Sequence, residues 1–118
     1  MTAPSELTIQ LGFRNRLRYV APAVHVVAIP NAAKRSQWAA MQAKKEGLAT
    51  GFPDVQCIWP GGICFIEFKS AKGRVSDNQA EWIDRLSRYG FDVVVARSVD
   101  DAVAFIKACG APVLERAT

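Results

Sequence analysis

A chain of 118 residues, 50% hydrophobic and 22% charged, is expected to form one domain around one core over residues 1–118, with no room for a second module. That composition excludes a disordered chain; no apolar run approaches the roughly 20 residues of a membrane helix and no basic start leads into one, which predicts an intracellular protein without a membrane partner. The net charge of +4 is uneven, because residues 1–53 hold seven basic and two acidic side chains, a balance of +5, whereas residues 54–118 hold eight and nine, a balance of −1.

The first predicted element is a helix from about Ser5 to Arg18, stopped by Ala21-Pro22 because a residue before proline is biased away from helical backbone. A strand at Val24 to Ile29 follows, closed by Pro30-Asn31, and then a helix from about Lys34 to Glu46 with Gly47 as its stop. Asp54 to Trp59 and Ile63 to Lys69 are β-rich runs around Pro60-Gly61-Gly62, the pattern of a hairpin. After the polar loop Ser70 to Arg74, Ser76-Asp77-Asn78-Gln79 reads as a capping box opening a helix from Asp77 to Tyr89, with Gly90 behind it. Trp82, Ile83 and Leu86 form the apolar side of that helix. The apolar-rich run Phe91 to Ala96 predicts a strand, reaching Arg97, that is covered on both faces. Ser98 caps a last helix from Val99 to Cys109, ended by Gly110. The order αβ(α)ββαβα predicts an α/β fold. Trp38 and Trp59 are placed in the core, the commoner fate of an aromatic, with a partner or a base as the alternative. His25 is read as structural. Cys57, Cys64 and Cys109, odd in number and without metal-type spacing, are read as buried reduced thiols, with a cross-strand Cys57–Cys64 disulfide on oxidation as the disfavoured alternative.

The hairpin carries the chemistry. Side chains alternate along a strand, so Glu67 and Lys69 share one face and Phe68 takes the other. A Pro60-Gly61 loop opposes Asp54 to Glu67, and a Gly61-Gly62 loop opposes Asp54 to Lys69; an even shift keeps every side chain on its face, so the three charges converge in both registers. Two close carboxylates repel unless a cation lies between them. Hard oxygen ligands suit Mg²⁺ or Mn²⁺, and a metal so held could activate water against a phosphodiester. A surface salt bridge among the same three residues is the competing reading from spacing alone. Gln79 has two readings as well, one in the capping box and one facing the site. The basic side chains Arg14, Arg16 and Arg18, then Lys34, Arg35, Lys44 and Lys45, and finally Lys72 and Arg74 in the loop after Lys69, suit contacts to phosphates. Solvated helix faces and an ordinary basic turn are the alternatives.

Gly51-Phe52-Pro53-Asp54 followed by Glu67-Phe68-Lys69 resembles the PD-(D/E)XK nuclease signature, and Arg74 to Trp82, Gly90 and Val93 to Ser98 resemble its virus-type replication-repair branch, the VRR-NUC domain. The likeness runs from about Gly51 to Val103. It implies a restriction-endonuclease-like core, a mixed sheet flanked by helices, in which Asp54, Glu67 and the backbone carbonyl of Phe68 hold Mg²⁺ or Mn²⁺, Lys69 is the catalytic lysine, and Gln79 matches the glutamine of the next helix. Superfamily members often add an acid from the first helix. Glu6 is the default candidate, although a carboxylate in a helix's first turn also complements the macrodipole. The resemblance further implies a metal-dependent endonuclease on branched, flap or four-way junction DNA in replication, recombination or repair, of phage or viral type and therefore in the cytoplasm of a bacterial host. A homodimer is expected because cutting both strands of a junction needs two such centres. The alternative, a catalytically idle nucleic-acid-binding module, is disfavoured by the joint presence of Asp54, Glu67 and Lys69.

Overall fold

The computed structural model describes residues 3–30 and 36–114. Among these the elements are α1 (Glu6–Val20), β1 (His25–Ala28), α2 (Gln37–Lys45), β2 (Val55–Trp59), β3 (Gly62–Phe68), α3 (Asp77–Arg88), β4 (Asp92–Ala96) and α4 (Val99–Ala108), in the expected order. The strands form one sheet, β1-β2-β3-β4. β1, β2 and β3 pair antiparallel and β3 pairs with β4 parallel, which makes the sheet mixed. α1 runs past Arg18 to Val20 and stops where Ala21, ahead of Pro22, leaves helical backbone.

The hairpin adopts the register of the Pro60-Gly61 loop, pairing Val55 with Ile66 and Trp59 with Gly62. Proline holds φ near −65° and Gly61 has φ +88°, the two central residues of a type II turn. Gly62 is needed for a different reason: a Cβ there would lie 2.4 Å from the Trp59 indole, which folds across its cross-strand partner. Trp59 is buried as expected, whereas Trp38, placed in the core by the sequence, is 72% exposed. α2 is short and buries only Ala43, so it has no interior face wide enough to hold an indole.

Alternation divides the sheet into two faces. Val55, Cys57, Trp59, Cys64, Ile66, Phe68 and Ala96 point toward α1 and α4, where Ile9, Phe13 and Leu17 meet Ala102, Val103 and Ile106 in the main core. The Phe13 and Phe68 rings lie 5.6 Å apart. On the other face Phe65 sits 5.6 Å from Phe52, which is 4.9 Å from Trp82 of α3, and 5.9 Å from Phe91. α3 and α4 do pack on β4, but the strand is half-buried rather than enclosed, because it forms an edge of the sheet. Of the predicted apolar side of α3, Leu86 is buried and Trp82 and Ile83 are half-buried. Cys57 and Cys64 oppose each other in the ladder as buried free thiols, whereas Cys109, at the C-terminal end of α4, is only half-buried. No described helix is long and apolar enough to cross a membrane.

Candidate metal centre

The ladder that ends at Val55 and Ile66 sets up the site one residue further on. Val55 and Ile66 face the main core, so Asp54 and Glu67 turn to the opposite face at the same end of the hairpin. Phe68 returns to the core, fully buried against Phe13, and its amide donates to Asp54 Oδ2 at 2.8 Å. The Lys69 amide donates to the Ala96 carbonyl at 3.0 Å. Backbone from Glu67 to Lys69 is thus gripped by Asp54 on one side and β4 on the other. Lys69 Nζ lies 3.6 Å from Glu67 Oε2, and both side chains are buried.

Gln79 serves both readings with the two ends of one amide. Its side-chain oxygen accepts from the Ser76 backbone N–H at 2.9 Å while the Gln79 backbone N–H donates to Ser76 Oγ at 3.2 Å, completing the capping box of α3. Its side-chain nitrogen donates to Glu67 Oε2 at 3.0 Å. The assignment is chemically forced, since the end that meets the Ser76 N–H has to be the acceptor. Gly51 locks this arrangement from the other direction. It has φ +88°, and a Cβ there would lie 2.6 Å from the Asn78 backbone, so the loop delivering Asp54 rests directly on the start of the helix delivering Gln79.

Glu6 joins them. Oxygens of Glu6, Asp54 and Glu67 lie within 4.8 Å of one another. Ser5 caps α1 by accepting from the Thr8 amide at 3.1 Å, and Ile9 and Phe13 press the helix on the sheet, which carries its first turn to the strand ends. The donor set is carboxylate oxygen with an ammonium beside it, which fits a hard divalent cation rather than zinc.

The other candidates are distributed more widely. Lys72 and Arg74 are exposed on the loop that follows Lys69. That loop is held by a residue to which the sequence assigned no role: the Arg97 guanidinium donates to the Ser70 and Gly73 carbonyls at 2.8 Å each and to the Ala71 carbonyl at 3.5 Å. No local pattern marks an arginine at a strand end as a loop anchor. Lys44 and Lys45 are exposed in the last turn of α2, and no described contact joins them to the carboxylates. Lys34 and Arg35 lie outside the described residues. Arg16 is committed to an ion pair with Asp100, which removes it from the expected basic surface.

The VRR-NUC domain family matches residues 11–100, a stretch that contains Asp54, Glu67, Lys69 and Gln79 and begins after Glu6. A solved structure of a VRR_NUC domain protein is similar with a TM-score of 0.70 and 21% identity, covering 92% of this chain and 89% of that chain, a likeness of fold. No curated protein matches the sequence. The family match over most of the chain, on a mixed sheet that gathers carboxylates, a lysine and a glutamine at one strand end, establishes that the chain belongs to the VRR-NUC domain family, a family of nucleases.

Proposed function

We propose that this protein is a Mg²⁺- or Mn²⁺-dependent endodeoxyribonuclease selective for branched DNA such as flaps or four-way junctions. The observation that carries the reading is the set of Glu6, Asp54 and Glu67 oxygens within 4.8 Å of one another. These three, with the Phe68 carbonyl, are the residues that would hold the cation. Bound there, it supplies a Lewis acid that offsets the charge of a phosphodiester. Lys69, tethered to Glu67, adds a fixed ammonium where the phosphate oxygens gather charge. Gln79 holds the Glu67 carboxylate in one orientation. Lys72 and Arg74, with Lys34, Arg35, Lys44 and Lys45, contact backbone phosphates and position the strand.

One centre cuts one strand, so the protein works on junctions as a homodimer. The virus-type family supports a role in replication, recombination or repair inside a bacterial host. Labelled duplex, flap and four-way junction DNA, incubated with Mg²⁺, Mn²⁺ or EDTA beside Glu67→Ala and Lys69→Ala, tests the assignment. Cleavage is expected only with metal and with at least about a hundredfold loss in both variants. Absence of cleavage of all three substrates by the unaltered protein, or equal cleavage by the variants, would overturn it. Sedimentation is expected to return a dimer, and monomer at every concentration removes that part of the proposal.

A further inference from the structure

We infer that the flank of α1 facing β1 is a phosphate-binding groove that receives a nucleic-acid strand running away from the metal centre, an assignment resting on the nucleic-acid substrate proposed above. Two depressions share Arg14 and Arg18, one on the outer surface of α1 alone and one between α1 and the start of β1. One, of about 500 Å³, is lined by Thr8, Arg14, Asn15 and Arg18 together with apolar neighbours. The other, of about 260 Å³, is lined by Arg14, Arg18 and His25 over an apolar floor. Because both are bordered by the same two arginines, they make one track. It begins at Thr8, just after Glu6 in the first turns of α1, and ends beside His25 at the start of β1.

The electrostatics of the track are one-sided. Among the described residues no carboxylate lines either depression. Arg14 and Arg18 are four apart on one helix face, a like-charge pair that opposes helix formation unless an anion lies between. Arg14 is half-buried and braced, donating to the Val26 carbonyl at 3.2 Å. Arg18 is exposed, with no ion pair among the described residues. The intervening Arg16 projects elsewhere and pairs with Asp100 of α4, so α1 neutralises its cation toward α4 and keeps those toward β1. At 1.5 Å of rise per residue the two arginines stand roughly 12 and 18 Å along the helix from Glu6, about three to five nucleotides of a duplex strand. That is the spacing at which a strand engaged at the metal centre presents further phosphates.

The ligand is therefore a phosphodiester or a terminal phosphate of the same strand. Binding by fluorescence anisotropy, with Ca²⁺ in place of Mg²⁺ and over a series of salt concentrations, compares duplex DNA bearing a 5′-hydroxyl with the same DNA bearing a 5′-phosphate. Arg18→Gln, which loses no described contact, is expected to bind about three- to tenfold more weakly with its salt slope lowered by about one. Arg14→Gln should behave likewise, with its melting temperature recorded because it also loses the Val26 bond. Arg88→Gln on α3 is the control and should bind as the unaltered protein does. Equal weakening on both DNAs assigns the groove to internal phosphodiesters, and weakening confined to the phosphorylated end assigns it to the terminal phosphate. Unaltered affinity and salt slope for Arg18→Gln on both DNAs overturn the groove. No turnover is needed, so a protein that cuts nothing yet binds more weakly as Arg18→Gln loses the nuclease assignment and keeps the groove.

Discussion

Gln79 shows how much one side chain can be asked to do, and its two hydrogen-bonding ends separate by mutation. Ser76→Ala removes the cap alone and is expected to lower stability by about 1 kcal/mol while leaving Mn²⁺ affinity unchanged. Gln79→Ala loses its part of the cap and also the donor to Glu67, so Mn²⁺ affinity should fall about 10- to 100-fold. Calorimetric titration of the two variants decides the matter; equal affinities would leave Gln79 as a cap and nothing more. The paired thiols carry a pH dependence of defined sign. Contact with Cys57 and burial push the Cys64 thiol far up, and burial pushes Cys109 up to about 12. Below the ordinary thiol value of 9.0 the folded and unfolded chains both keep the Cys64 proton, and its contribution is fully present. Above it the unfolded chain releases a proton that the folded one retains, so stability falls as pH rises, by at most about 1.4 kcal/mol per pH unit. Urea midpoints should drop more between pH 8 and pH 10 in the unaltered protein than in Cys64→Ala, and parallel shifts would count against this account.

Among the elements, the hairpin is the part that parity dictates, and the loops around it are the part that long-range contacts hold. Gly51→Ala forces a side chain into positive φ and into the Asn78 backbone. A loss of at least about 2 kcal/mol is expected, together with displacement of Asp54 from Gln79, and an unchanged melting temperature would contradict it. The loop between β3 and α3 depends on Arg97. In Arg97→Ala the Ser70 and Gly73 carbonyls lose their donor, so trypsin should cut after Lys72 or Arg74 roughly tenfold faster. Because both short bonds come from the single nitrogen Nη1, Arg97→Lys, whose ammonium also carries several N–H donors, should restore part of the protection. β4 illustrates a different limit. Its composition resembles that of an enclosed parallel strand, but composition carries no information on whether a fifth strand lies beyond it, and an edge position leaves Val93, Val94 and Val95 half-buried.

At the scale of the whole molecule, the carboxylates come from three places in the chain, so a cation that binds them should bind only the folded form. Saturating Mn²⁺ or Mg²⁺, at about 100 times the dissociation constant, should stabilise the protein by about 2.7 kcal/mol, and EDTA should reverse the rise in melting temperature. Glu67→Gln should abolish the rise; a shift that survives in this variant places the cation elsewhere. The elements, their order, the hairpin face shared by Asp54, Glu67 and Lys69, and the capping box at Ser76 were all determined by the sequence alone, because each follows from spacing within a strand, a turn or a helix start. The choice of the Pro60-Gly61 register, the arrival of Glu6 beside Asp54 and Glu67, the grip of Arg97 on the loop after Lys69, the loss of Arg16 to Asp100 and the exposure of Trp38 were decided only by the tertiary structure. Apart from the register, each depends on how separate elements pack, and periodicity along one element does not say which neighbour its side chains will meet.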